Sequence, residues 1–484
     1  MKNTSLGKNA VLNVVKSVLS VLFPLITYPY AFRVLHAENI GKVDYAMSII
    51  NYFSLVAMLG VSSYAIREGA KVRDDRKKIS ELVSQIFSIN VISTAVSYIV
   101  LTLTVFFTAK LYDYKELIFL LSISIVFTTL GIDWINTIYE DFWYITVRSI
   151  ITHIVTLVLL FVLVRRVSDY YYYAFLSVLI NIIIGMSNWK YCHKYIDLKF
   201  TLKMNVHKHL RPILTLFANN IATSIYVNCD TTMLGWIIGN QSVGLYSMAV
   251  KIYNVLKNVM AAIYTVAIPR LSYYIGKKDY DKLRKTYTEI FGGVTLLLLP
   301  MSAGIIGIAN EVVYFMGGAE YADAVLALQI LSIALIGAIF GGLMAYCFNI
   351  PMAQEIINLK ATTISAILNI VLNTIIIPKL AHNGAAITTA ISEWFVFFFC
   401  LFSAKDIKKY IDIKKYLLYL KDAVIEMFII YILSRLIHQN IISHFLSLIF
   451  IIGLSIAGYL IVLTVSGNAI YYSVLKKIMK RSTK

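Results

Sequence analysis

Fourteen runs of about 20 mostly apolar residues divide this 484-residue chain. A run of that length is what a helix needs to cross the hydrocarbon of a bilayer. They fall near 10–33, 44–66, 81–108, 116–138, 149–164 and 170–188, then 213–237, 244–267, 286–309, 323–346, 361–377 and 385–403, with two more at 418–437 and 445–464. Barrel strands would instead alternate in short segments. Only 14% of the residues are charged and 59% are hydrophobic, too little charge to clothe a soluble globule, and the abundance of aromatic and β-branched residues excludes disorder. The sequence predicts an all-α integral membrane protein.

The balance of 44 Lys+Arg against 26 Asp+Glu would point to nucleic acid in a soluble chain. Here the basic residues alternate by loop: 32 lie on the side of the N-terminus and of loops 67–80, 139–148, 189–212, 269–285, 347–360, 404–417 and the tail from 466, against six on the other side. Basic loops stay cytoplasmic, so both termini are predicted inside, and nucleic acid is not an expected partner. The opposite loops are short and offer no outer domain for catalysis. The first apolar run is longer than a signal-peptide core, contains Asn13 and Lys16 and lacks an A-x-A site, so it reads as a span.

Sliding the chain by 203 residues lays 40–67 over 243–270, with six identities in 28 positions, including Gly41/Gly244, Asn51/Asn254 and Arg67/Arg270. Asp44, Ser48 and Asn51 then match Ser247, Lys251 and Asn254, each trio one stripe on a helix face. The displacement covers six spans, an even number, so the repeats run parallel about an axis along the membrane normal. The expected architecture is two six-helix bundles, 1–195 and 196–410, around a central cavity, with two further helices and a basic tail over 411–484.

Polar residues within spans either glue helices together or line a watery path. Such stripes are Asn13, Lys16, Ser20 and Thr27; Thr215, Asn219, Thr223, Tyr226 and Asp230; Ser247, Lys251, Asn254 and Asn258; and Thr362, Ser365, Asn369 and Asn373. Lys16, Asn51, Lys251, Asn254, Asn258 and Lys257 are the expected cavity residues, with Lys251 meeting an anionic ligand. Asp133, Asp230 and Glu393 are candidates for ion coupling, and Arg33, Arg67 and Arg270 stand at span ends as gating or anchoring groups. His207 and His209, in a basic loop, read as solvated. Cys192, Cys229, Cys347 and Cys400 are scattered, without zinc spacing, and read as small buried residues. No phosphate loop, G-x-S-x-G or H-E-x-x-H motif occurs, so no catalytic activity, metal or cofactor is expected.

The run Phe23-Pro24-Leu25-Ile26-Thr27-Tyr28-Pro29-Tyr30 with Arg33-Val34-Leu35, then Ile40-Gly41, Tyr52-Phe53-Ser54, Gly60 and Tyr64-Ala65-Ile66-Arg67-Glu68, resembles Wzx-type polysaccharide flippases. So do Asp133-Trp134, Glu140-Asp141-Phe142-Trp143-Tyr144 and Arg148, and Pro378 with Gly384, Thr389 and Glu393. The likeness covers about the first 400 residues and implies the multidrug/oligosaccharidyl-lipid/polysaccharide exporter superfamily. It implies two six-helix bundles and alternating access. Its implied substrate is an undecaprenyl-pyrophosphate-linked oligosaccharide of O-antigen, capsule or exopolysaccharide assembly, moved to the outer leaflet of a bacterial plasma membrane. It also implies coupling to a proton or sodium gradient, and a polysaccharide polymerase and chain-length regulator as partners. Two rivals remain: a multidrug cation exporter of the same fold, which would want carboxylates and aromatics in its cavity, and a membrane glycosyltransferase or polymerase, which would want a large outer loop.

The charge asymmetry makes a direct prediction. A cysteine placed within 269–285 is labelled by a membrane-impermeant thiol reagent only from the cytoplasmic side; labelling from outside contradicts the topology.

Overall fold

The computed structural model describes residues 6–404, 407–440, 444–473 and 476. Every long element among them is a helix. Two compact units result, residues 1–244 and 245–484.

The first unit contains α1 (Leu6–Met58), α2 (Val61–Ala70), α3 (Arg76–Phe107), α4 (Ala109–Tyr112), α5 (Lys115–Gly131), α6 (Trp134–Ile138), α7 (Phe142–Leu163), α8 (Tyr170–Cys192), α9 (Val206–Ile237) and the first residues of α10 (Asn240–Gly276). The second holds the rest of α10 with α11 (Tyr280–Gly307), α12 (Ala309–Gly317), α13 (Ala324–Gly342), α14 (Glu355–Ser403), α15 (Ile407–Tyr410), α16 (Ile413–Asn440) and α17 (His444–Val465). The sequence-drawn halves meet at 195 and the compact units at 244, because α9 packs along α1 and α2.

By length and apolarity alone, eight runs among the described residues can cross a membrane. Two of them, Leu22–Ala70 and Glu355–Ser403, have 49 residues. At 1.5 Å per residue each is about 70 Å long, more than twice the hydrocarbon thickness. Each is two crossings joined at a sharp kink, His36 (φ 65°) in α1 and Ala381 (φ 48°) in α14. Split there, and with α3, α5, α7 to α11, α13, α16 and α17, the described residues supply fourteen long helical segments. These are the fourteen runs read from the sequence.

The kink in α1 exposes the repeat. His36 and Gly239, 203 residues apart, both have positive φ (65° and 128°), and a helix restarts after each. A Cβ on Gly41 would lie 1.8 Å from the Asn240 carbonyl oxygen, and one on Gly244 would lie 1.9 Å from that of Ala37. Ala37 and Asn240 are again 203 apart. The contact is thus reciprocal, as across a twofold axis. Only glycine permits backbones to touch this way.

Serine fixes the 197–201 strap to α3. The hydroxyls of Ser80, Ser84 and Ser88 accept from the backbone N–H of Asp197, Lys199 and Thr201 at 2.9, 3.1 and 2.9 Å. Four helical residues rise about 6.0 Å and two extended residues about 6.6 Å, so the two periods stay in step over three contacts. Beneath the strap lies a core of Ile79, Val83, Phe87, Trp134, Ile138 and Cys192. His209 joins it: it is 2% exposed and meets the Tyr64 hydroxyl at 2.8 Å and Gln85 at 3.0 Å. The solvated reading of His209 is therefore corrected, because α9 begins at 206 and carries this histidine onto α2 and α3. His207's side chain lies outside the described residues. All four cysteines are buried, and none is in a disulfide.

In the second unit, a π-helical turn, Leu343–Asn349, follows α13. Such turns leave carbonyls misaligned, and side chains supply donors here: Tyr287 to the Cys347 carbonyl (2.9 Å), Asn358 to that of Ala345 (3.1 Å) and Tyr264 to that of Ile339 (2.8 Å). In α11, Pro300 has no N–H for the Leu296 carbonyl, and the Tyr459 hydroxyl of α17 donates to it at 2.9 Å.

Substitution tests the crossing. Gly41→Ala forces backbone apart and lowers stability by about 3 kcal/mol, read as a fall in thermal midpoint in lipid. Gly276→Ala, where nothing lies within 4 Å of the added Cβ, leaves it unchanged or slightly raises it. Equal midpoints for the two variants would contradict the close approach.

Candidate functional site

The stripe on the second half of α1 meets α9. Asn51 donates to the Asn228 side-chain oxygen at 2.9 Å, and the Thr232 hydroxyl reaches Ser48 at 2.9 Å and Tyr52 at 3.4 Å. Asn51 is half-buried in this polar seam. Sequence spacing could place Asn51 on a face, but Asn228, the partner, carries no repeat signature. Asp230, two residues on, is 4% exposed.

On α10, Lys251 is half-buried while Asn254 and Asn258 are exposed. Successive steps of three and four residues keep them on one side of the helix, a polar face that is not sunk in the core of the second unit. Lys257 and Tyr253 turn elsewhere, toward α14. The Lys257 ammonium lies 2.7 Å from Glu393 Oε1 and 3.1 Å from the Tyr253 hydroxyl, and that hydroxyl donates to the same carboxylate oxygen at 2.7 Å. The Glu393 side chain is 7% exposed. Lys257, expected in the cavity, and Glu393, expected in coupling, are thus brought together as one ion pair. Burying either charge alone is costly, and each removes that cost for the other.

The stripe Ser365, Asn369 and Asn373 is buried and acts as glue. Ser365 donates to the Ser392 carbonyl at 3.0 Å, and Thr388 to Asn373 at 2.5 Å, closing the two arms of α14. The side chains of Asn13, Lys16, Ser20, Asn219 and Thr223 lie outside the described residues.

The 133–148 signature is a tie among α5, α6, α7 and α8. Ile132 at φ 39° turns the chain after α5, and Asp133 meets the Arg148 guanidinium at 2.5 Å. Asn136 donates to Asn188 at 2.6 Å, and Asn188 to the Gly131 carbonyl. Asp141 accepts from the hydroxyls of Tyr191 and Tyr195, both at 2.6 Å, while Tyr144 stacks on Tyr191. Burial pushes the Asp141 carboxyl up, but these hydrogen bonds outweigh it and hold it below the usual range. Arg67 and Arg270 are exposed, Arg67 bonded to Glu68 at 3.0 Å and Arg270 to the Tyr274 hydroxyl at 3.4 Å. Arg33 is exposed near the α1 kink.

A family model described as "polysaccharide biosynthesis protein" matches residues 6–275, more than half of the chain. The protein belongs to that family. A second model, MatE, matches 216–375. Within the wider group, the chain is 24% identical over 403 residues to a putative O-antigen transporter of Escherichia coli strain K12, spanning 81% of this chain and 95% of that protein. It is 24% identical over 200 residues to a probable low-salt glycan biosynthesis flippase of Haloferax volcanii, 40% of this chain and 41% of that one. Its fold is that of a lipid II flippase solved in an inward-closed conformation, with TM-score 0.73, 19% identity, and 96% and 99% of the two chains covered. An inward-facing multidrug resistance MATE family transporter follows with TM-score 0.57 and 15% identity, covering 80% of this chain and 99% of that one. Among its described residues the family member is therefore all-helical, a multi-pass membrane protein that shares the fold of those solved structures, and its named relatives are transporters and flippases rather than catalysts.

The Lys257–Glu393 pair sets a testable energy. Lys257→Met or Glu393→Gln alone leaves one charge unpaired and costs about 2 kcal/mol, reduced from a fully buried pair because Lys257 is partly exposed. The double variant recovers most of it, as thermal midpoints in lipid will show. Additive losses would mean that the pair is not coupled.

Proposed function

We propose that this family member is a flippase that moves undecaprenyl-pyrophosphate-linked oligosaccharide units from the cytoplasmic to the outer leaflet by alternating access of bundles 1–195 and 196–410, for O-antigen, capsule or exopolysaccharide assembly. The observation that carries the reading is the α10 face of Lys251, Asn254 and Asn258, a cation beside exposed amides, on a chain whose relatives are named as an O-antigen transporter and a glycan biosynthesis flippase. A diphosphate needs a compact positive charge to replace lost water. Sugar hydroxyls need donors and acceptors, which asparagine amides supply together. Lys16 and Asn51 complete the proposed lining.

The 32-to-6 loop asymmetry supports a bacterial plasma membrane protein with both termini cytoplasmic. Coupling to a proton or sodium gradient belongs to the same proposal, as do a polysaccharide polymerase and a chain-length regulator as partners. No bound cofactor is required.

Deleting the gene should cause a lipid-linked sugar to accumulate on the cytoplasmic leaflet; no accumulation together with increased sensitivity to cationic dyes would favour a drug exporter instead. In the restored gene, Lys251→Ala loses about 2 kcal/mol of charge-assisted binding, roughly a thirty-fold fall in flipping at normal abundance. Lys251→Glu loses more, and Asn254→Ala less. An abundant and fully active Lys251→Glu would remove Lys251 from the site.

A further inference from the structure

Away from the α10 face, α11, α16 and α17 form an open-sided cavity of about 310 Å3 lined by hydrocarbon, among it Leu297, Met301, Ile452 and Ile456. Glu426 stands in its wall, with both carboxyl oxygens sealed from it. Glu426 lies halfway along α16 and is 0% exposed. Neither of its oxygens has a hydrogen-bond partner among the described residues, and neither is open to water; the Ser455 hydroxyl on the same wall is likewise unbonded. A Cβ on Gly458 of α17 would lie 3.8 Å from Glu426 Oε1, so the carboxyl abuts the bare side of that helix.

The groups around Glu426 do not neutralise it. From α17 the titratable neighbour is Tyr459, whose hydroxyl is committed to the Leu296 carbonyl at 2.9 Å. From α11 the lining stretch, Leu296 to Ile308, presents only apolar side chains to the cavity. On α16 itself Asp422 stands one turn away, held by Ser466 at 3.0 Å and Asn468 at 2.7 Å. The cations Arg284, Lys285, Lys415 and Lys421 line a different, polar cavity with Asp422.

An ionised carboxylate left alone in such surroundings costs several kcal/mol even after relaxation. A sodium ion needs several oxygen ligands and space beside them, and the Glu426 oxygens are closed even to water. The cation that fits is a proton.

We propose that Glu426 is a proton-binding site of the α16–α17 pair: it holds a proton when these helices pack against α11, and releases it only when the cavity admits water. Proton occupancy thereby controls how α17 rests on α11, where Tyr459 caps the carbonyl that Pro300 leaves open. The proposal does not depend on which substrate the protein carries.

The test uses the purified full-length chain in lipid nanodiscs. Infrared difference spectra between neutral and alkaline pH should show the carbonyl band of a protonated carboxylic acid in the wild type, lost on alkalinisation. The band is absent from Glu426→Gln and retained in Asp422→Asn. In parallel, Ser455→Cys should react with a water-soluble thiol reagent at alkaline pH only, the four native cysteines being buried. Combining it with Glu426→Gln should abolish that reactivity at every pH. Because glutamine imitates the neutral acid, Glu426→Gln should accumulate like the wild type. A wild-type spectrum without the band, a band that survives Glu426→Gln, pH-independent labelling, or a Glu426→Gln protein that fails to fold would each overturn the proposal.

Discussion

The backbone contact between Gly41 and Gly244 is the constraint on which the repeat rests. Each glycine leaves room for a carbonyl of the opposite segment, Asn240 and Ala37 respectively. A single added methyl on either would occupy the place of an oxygen. The positive φ at His36 and at Gly239 aims both segments into this crossing, and glycine tolerates such a φ where histidine stores strain. From the crossing the second half of α1 runs beside α9, and the Asn51–Asn228 and Ser48–Thr232 bonds continue the contact below it. Small residues above and hydrogen bonds beneath are the two devices by which helices associate where lipid competes for apolar surface.

The first unit is tied again at its other end. Asp133–Arg148, Asn136–Asn188 and the Tyr191/Tyr195 hold on Asp141 fasten four helices, and the serine ladder of α3 pins the strap that leads to α9. A motif dense in Asp, Trp, Tyr and Arg reads as chemistry in a soluble enzyme. Its geometry here is that of a clasp, Asp133 paired with Arg148 and Asp141 held by two tyrosine hydroxyls.

The number and placement of helices were legible because spanning length and loop charge are one-dimensional signals. Even the kinks at His36 and Ala381 fall within the short loops expected at 34–43 and 378–384. The repeat was legible from Gly41/Gly244 and from the stripe of Ser48 and Asn51. Pairings between distant segments were not. Lys257 lies on a polar helix and Glu393 is 136 residues away, so their meeting depends on how α14 folds back. His209 looked like part of a basic loop because the start of α9 is itself polar. Glu426 shares the 418–437 run with Asp422 and Lys421, so nothing in the sequence set it apart, and its isolation became evident only once Ser455, Gly458 and the Pro300 turn surrounded it.

Under the proposed alternating access, the close crossing at Gly41 and Gly244 parts during each cycle. Glu38 and Asn240 flank it, their side chains bonded at 3.1 Å. A Glu38→Cys/Asn240→Cys pair, oxidised to a disulfide in reconstituted vesicles, tests the claim directly. Flipping of a lipid-linked oligosaccharide should stop on oxidation and return on reduction, while each single cysteine variant stays active throughout. Undiminished flipping by the fully cross-linked protein would contradict the account.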